Sequence, residues 1–144
     1  MRIVFSLFTF FSLTLAAQTA LAAQVIDGWA LASLTKQSKN GAAYMIITNP
    51  SDKKDVIVSV ESDIAEITEL HEMSFDKDGV MRMNEVEKLD IPARGTVKLE
   101  PGGYHIMLMG LEKPFEVGDS FDVLLTFENT GQQLIPVKVY PRKN

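Results

Sequence analysis

Cysteine is absent from the 144-residue chain, and its absence excludes several classes of function. Without a thiol the protein can form no disulfide and can perform no thiol–disulfide exchange. A blue-copper electron-transfer centre is excluded as well, because that centre requires a cysteine thiolate. Histidine is nearly as scarce, with two residues, and tryptophan occurs once. The fold must therefore be stabilised by an apolar core.

Basic residues are also fewer than acidic residues. Fourteen lysines and arginines stand against 19 acidic residues, and the formal net charge is −5. This balance is unfavourable for binding nucleic acid, and no polybasic cluster is present to bind anionic lipid. No apolar run after the N-terminal segment is long enough to span a bilayer, so we expect no membrane insertion of the mature chain.

The N-terminal segment has the pattern of a secretory signal peptide. The first two residues give a short positive region, residues 3–17 are apolar, and residues 20–22 (ALA) form a small-residue cleavage motif. We predict a signal peptide over residues 1–22, cleaved after Ala22 or, alternatively, after Ala23. A membrane anchor is the weaker interpretation, because the apolar run is short and contains four hydroxyl residues. The mature protein is expected in a bacterial periplasm.

The remaining residues, 23–144, are predicted to form a single domain of short strands separated by turns. Residues 64–75 contain several helix formers, but a lone helix would interrupt the run of strands, so we predict a strand there. Pro136 predicts that the last strand is an edge strand or carries a bulge. The expected fold is an all-β, Greek-key sandwich or barrel of about eight or nine strands. The predicted strands are 25–34, 42–48, 55–60, 64–75, 80–84, 96–100, 104–110, 120–128 and 132–140.

Histidine and methionine are concentrated in one stretch, residues 71–109. It contains both histidines and five of the seven methionines. Thioether sulfur is a soft donor that favours Cu(I), and imidazole suits copper in either oxidation state. The composition of this stretch therefore predicts a copper(I) site built from histidine and methionine.

The spacing of these residues lets them meet. Side chains two apart in a strand point to the same face, and an Asp-Gly turn at residues 76–79 predicts a hairpin. Cross-strand neighbours in such a hairpin are about 5 Å apart. Three donor-bearing segments can therefore converge. Their donors are His71 with Met73, Met81 with Met83, and His105 with Met107 and Met109.

Each of these residues also has an ordinary structural interpretation. A histidine in a strand is usually a satisfied polar residue, and methionine usually fills a core. Asp76 and Asp78 could belong to a calcium loop, but the 12-residue ligand pattern and its closing glutamate are missing. No nucleophile motif for a hydrolase is present, and we predict that the protein is not an enzyme. The coincidence of donors in one stretch favours the metal site.

The spacing of the donors resembles the signature of a known family. His71 is followed after 11 residues by Met83, and 21 further residues lead to the pair His105-x-Met107. This pattern is similar to that of the PCu(A)C family of periplasmic copper chaperones. The local sequences ELHEMSF, GVMRM and LEPGGYHIMLMGL are also similar. The resemblance covers residues 42–139.

The resemblance implies a cupredoxin-like sandwich that binds one Cu(I) per chain near its surface. Met73, Met81 and Met109 do not fall on ligand positions, so they are expected to surround the site. Some members carry a Cu(II) site in an extension rich in histidine and methionine. This chain has no histidine after position 105, so we do not expect that second site. The ligands implied by the resemblance are His71, Met83, His105 and Met107.

The expected function is copper transport by ligand exchange. Imidazole and thioether ligands are all neutral, which stabilises Cu(I) relative to Cu(II). The resemblance implies delivery to the CuA centre of cytochrome c oxidase, directly or with a Sco-type thiol protein. Two alternatives remain open at this point. One is a periplasmic protein that sequesters copper for resistance, and the other is a structural β-sandwich module without a metal.

Overall fold

The computed structural model describes residues 21–143, apart from the side chain of Asp27, and this part of the chain is made of strands. It contains no helix long and apolar enough to cross a membrane. The predicted signal peptide lies outside the described residues, except for its last two positions. The strands are β1 (Gln24–Leu31), β2 (Asn40–Thr48), β3 (Asp55–Glu61), β4 (Ile67–Phe75), β5 (Met81–Glu85), β6 (Leu89–Ile91), β7 (Thr96–Leu99), β8 (Tyr104–Met109), β9 (Ser120–Phe127) and β10 (Gly131–Tyr140).

The ten strands form one mixed sheet in the order β5-β4-β8-β7-β2-β1-β10-β9-β3-β6, and β2 also pairs with β8. Most neighbours are antiparallel, whereas β1 with β10 and β7 with β8 are parallel. Side chains from both halves of this long sheet belong to a single hydrophobic core. The sheet must therefore fold over on itself to enclose them. The all-β prediction is confirmed by this strand content.

The core lies between the inward faces of strands from the two halves. Every second side chain of β9 is buried, from Phe121 to Phe127. Met45 on β2 is fully buried and is thus a core methionine. Side chains with no exposed surface come from six strands, β1, β2, β6, β8, β9 and β10. They include Met45, Ile47, Ile106, Leu108, Val123, Leu125, Val137 and Val139.

Two strand boundaries differ by three residues from the sequence prediction, other boundaries differ by one or two, and one strand is additional. The strand predicted from residue 64 begins at Ile67, after a turn, although a strand rather than a helix is confirmed there. The first strand ends at Leu31 instead of residue 34. The additional strand is β6, which pairs with β3 through Leu89 and Ile91. Three residues are too few to show an alternating pattern, so the sequence gives no signal for it.

The expectation that the last strand is an edge strand or bulged is wrong. β10 lies between β9 and β1, and its register with β9 runs without a break from Gly131 to Lys138. Pairing with β1 begins only at Val137, opposite Gly28. Pro136 therefore stands just before that ladder, where a missing N–H removes no bond to β1. Gly28 permits the close approach, since a Cβ there would lie 2.5 Å from the Pro136 carbonyl oxygen.

A buried carboxylate joins the start of β3 to the β9–β10 turn. Asp55 is 3% exposed, and its Oδ1 accepts hydrogen bonds from the backbone N–H of Val56 at 2.8 Å and of Asn129 at 3.0 Å. Its Oδ2 accepts from the hydroxyl of Thr130 at 2.6 Å. Burial raises the pKa of Asp55, but these hydrogen bonds to the anion together outweigh burial and lower its pKa overall.

We expect Asp55→Ala to lower the free energy of unfolding by about 3 kcal/mol, because buried donors lose a charged acceptor. Since the folded pKa lies below the unfolded value of about 3.9, this contribution is present above that pH and disappears as pH falls through the folded pKa. Urea unfolding at several pH values measures both effects. Asp90→Ala is the control, since its carboxylate forms an exposed pair with Lys54. Equal losses in the two variants would contradict the assignment.

Candidate metal centre

Three neighbouring strands, β5, β4 and β8, carry the predicted donors. His71 on β4 lies directly opposite His105 on β8, and Met73 lies directly opposite Met83 on β5. Opposed residues of antiparallel strands, and residues two apart in one strand, point to the same face. All the predicted donors therefore share one face of the sheet. They are His71, Met73, Met81, Met83, His105, Met107 and Met109.

Hydrophobic burial determines which face the donors occupy. The alternate residues of β4 and β8 include Leu70, Ile106 and Leu108, all of which are buried in the core. Moving either strand by one residue would expose these side chains and bury the donors. The same apolar contacts that fold the domain thus direct imidazole and thioether groups away from the core.

The two imidazole rings are close enough to share one ion. Their centroids are 5.9 Å apart and their planes are inclined by 64°. An ion about 2.0 Å from one nitrogen of a ring lies about 3.2 Å from its centroid, so two rings on one ion have centroids up to about 6.4 Å apart. The observed spacing is within this limit. This separation therefore allows both rings to contact one ion.

Each ring has one nitrogen in a hydrogen bond. His105 is 4% exposed, and its Nδ1 lies 3.1 Å from the carbonyl oxygen of Gly103. His71 has its Nε2 2.8 Å from Oε2 of Glu69. Hydrogen bonds of this kind orient histidines that bind metals. The second nitrogen of each ring is therefore the one available to a ligand.

The two predicted thioether ligands lie on either side of the histidine pair. Met107 is two residues beyond His105 and opposite Glu69. Met83 lies two register positions away in the other direction, opposite Met73. Met83 is 49% exposed on the outermost strand, β5. Within residues 21–143, histidines and carboxylates alone form no cluster of three that could hold a metal ion. Met73, two residues from His71 on β4, faces Met83 across the ladder.

Glu69 was missed by the sequence analysis, which considered only soft donors and imidazole. The available signal was its position two residues before His71, which places it on the same face of a strand. The Gly103 carbonyl was missed because backbone groups have no signature in the sequence. Both groups matter here because they contact the rings directly.

The predicted hairpin at residues 76–79 is confirmed, and the side chain of Asp76 stabilises its turn. Oδ1 of Asp76 accepts hydrogen bonds from the backbone N–H groups of Asp78 and Val80, both at 3.0 Å. Its Oδ2 lies 3.0 Å from the guanidinium of Arg82. Gly79 adopts a φ of 77°, which favours glycine. This turn folds β5 back beside β4 and so brings Met83 to the site.

The sequence comparisons identify the family. The profile of the family described as "Putative lipoprotein LpqE-like" matches residues 23–139. The chain belongs to this family, which is the PCu(A)C type, and the resemblance noted in the sequence is confirmed. The "Putative lipoprotein Lxx21020" of Leifsonia xyli subsp. xyli is 35% identical over 124 residues, which cover 84% of this chain and 72% of that protein.

Solved structures give the same fold. The Cu(I) form of DR1885 from Deinococcus radiodurans is 32% identical, with a TM-score of 0.62, covering 87% of this chain and 83% of that chain. The copper-bound PCuAC domain from PmoF2 is 22% identical, with a TM-score of 0.68, covering 83% of this chain and 93% of that chain. The expected cupredoxin-like β-sandwich is confirmed, and residues 21–143 form ten strands rather than the expected eight or nine.

We expect Asp76→Ala to loosen the β4–β5 hairpin, because two backbone donors and Arg82 lose their acceptor. Amide hydrogen exchange should accelerate by about tenfold or more across β5 while the core strand β9 stays protected. Asp78→Ala is the matched control, since its carboxylate takes no part in these contacts. Unchanged protection of β5 in Asp76→Ala would show that the turn does not depend on this side chain.

Proposed function

We propose that the protein is a copper-binding chaperone that holds one Cu(I) between His71, Met83, His105 and Met107. The observation that carries the proposal is the position of His71 directly opposite His105, with ring centroids 5.9 Å apart on a face bearing thioethers. Membership of the PCu(A)C-type family and the likeness to the Cu(I) form of DR1885 support it. The residues at this face are ligands, and we assign them no catalytic role.

The donor set favours the reduced ion. Two imidazoles and two thioethers carry no charge, and soft sulfur donors select Cu(I) over harder divalent cations. No thiolate is available to hold the ion more strongly, because the chain has no cysteine. The ion would thus be bound selectively, with ligands that a thiol-bearing acceptor can replace.

The exposure of the ligands suggests the order of transfer. His105 is almost fully buried on a strand flanked by neighbours, whereas Met83 is half exposed on the outermost strand. An incoming donor would therefore replace the Met83 thioether first, while the two imidazoles still hold the ion. An accessible and replaceable ligand favours transport over long-term sequestration.

The proposed compartment and acceptor follow from the family. The lipoprotein descriptions of the family and its relative support an exported protein, and we assign it to the periplasm with its signal peptide removed. We propose that the acceptor is the CuA centre of cytochrome c oxidase, reached directly or through a Sco-type thiol protein. Both offer the cysteine thiolates that would displace a thioether.

Anaerobic titration of the mature protein with Cu(I) against a chromogenic chelator tests the site. We expect one equivalent to bind, with affinity reduced by about 100-fold in His71→Ala and about tenfold in Met83→Leu. Met45→Leu is the matched control, because Met45 is buried in the core away from the donors. Failure of the unsubstituted protein to compete with the chelator would overturn the proposal.

Transport and sequestration are separated by a transfer experiment. The Cu(I)-loaded protein is mixed with an isolated, reduced CuA domain, the two are separated, and the copper in each is measured. We expect copper to move to the CuA domain, because its thiolates are stronger ligands for Cu(I) than thioethers are. Copper that stays on this protein would favour the sequestering alternative and would leave the site itself unchallenged.

A further inference from the structure

The two histidines use different ring nitrogens in their hydrogen bonds. His71 bonds through Nε2 to the Glu69 carboxylate, at 2.8 Å, and His105 bonds through Nδ1 to the Gly103 carbonyl, at 3.1 Å. Carboxylate and carbonyl oxygens only accept hydrogen bonds, so the imidazole nitrogen must be the donor in each case. A neutral imidazole carries one N–H, and these contacts therefore select opposite tautomers for the two rings.

The second nitrogen of His71 is in an unusual position. Its Nδ1 is buried and has no hydrogen-bond partner among the described residues. A buried N–H without an acceptor would be costly, so the unpartnered atom is better explained as an unprotonated nitrogen. An unprotonated nitrogen without a partner, beside a second imidazole and several thioethers, is what a metal ligand requires before the ion arrives.

We propose that Glu69 is a positioning residue that holds His71 with Nε2 protonated and reserves its Nδ1 for copper. The Gly103 carbonyl holds His105 in the other tautomer and reserves its Nε2. The site thus uses one Nδ1 and one Nε2 donor. The copper-binding part of this inference rests on the proposed function, whereas the tautomers belong to the metal-free protein.

The carboxylate has a second effect. Glu69 is only partly exposed and contacts the His71 ring directly, so its negative charge lies close to the ion that the ring would bind. All the proposed ligands are neutral, and a Cu(I) ion among them would leave a net positive charge at the site. A nearby fixed anion stabilises that charge in surroundings partly shielded from water. Glu69 would therefore increase affinity through both orientation and charge.

Long-range ¹H–¹⁵N NMR of the metal-free protein at about pH 8, where an ordinary imidazole is neutral, reads the tautomers directly. We expect the proton on Nε2 of His71 and on Nδ1 of His105. Addition of Cu(I) should then shift the ¹⁵N resonances of His71 Nδ1 and His105 Nε2. A proton on Nδ1 of His71, or the copper-induced shift at its Nε2, would overturn the inference. Unchanged spectra on adding Cu(I) would instead refute the proposed copper site, while the metal-free tautomers stay readable.

Substitution of Glu69 tests its role in affinity. We expect Glu69→Ala to weaken Cu(I) binding by about 10–100-fold, the usual loss when the partner of a metal-bound histidine is removed. Glu69→Gln keeps an acceptor oxygen without the charge, so its loss should be smaller, under about tenfold. Glu72→Gln is the matched control, since Glu72 points to the other face of the same strand. Wild-type affinity in Glu69→Ala would refute the positioning role.

Discussion

The pairing of β4 with β8 is the constraint on which the candidate site depends. This register sets His71 opposite His105 and at the same time puts Leu70 opposite Ile106, on the other face. The apolar pair is buried in the core, so a shift by one residue would cost several kcal/mol of burial as well as the site. The pairing that buries the apolar residues of these two strands therefore also brings the two histidines together, before any ion binds.

The contrast between strands gives the site a fixed part and an adjustable part. β4 and β8 have neighbours on both sides, and their histidines are held further by hydrogen bonds to Glu69 and Gly103. β5 is the outermost strand, and all five of its residues are exposed. A donor on β5 can therefore move or be replaced at little cost to the fold, whereas the imidazoles cannot.

Much of the architecture could be predicted from alternation and turn chemistry, because both are local. The burial of alternate residues in β9 and the Asp-Gly hairpin at residues 76–79 follow from such patterns. What depends on pairing between distant segments could not be predicted. β6 is too short to alternate, and the interior place of Pro136 is permitted only because the β1 ladder starts one residue later. Glu69 lies on the same face of its strand as the predicted donors, but its carboxylate is neither an imidazole nor a thioether, so the search for soft donors did not find it.

The arrangement of donors would allow a site without thiolates to be selective for Cu(I) and still to release it. Affinity for Cu(I) would depend chiefly on the two oriented imidazoles, since their ring positions are fixed by the core-facing register and by oxygen acceptors. Release would depend on the thioether of Met83, whose strand is joined to the sheet on one side only. Because these two properties lie on different strands, a change in the β4–β5 hairpin can alter the rate of transfer with little effect on the imidazole pair. The Asp76 side chain, which closes this hairpin, would thereby affect transfer without binding the ion itself.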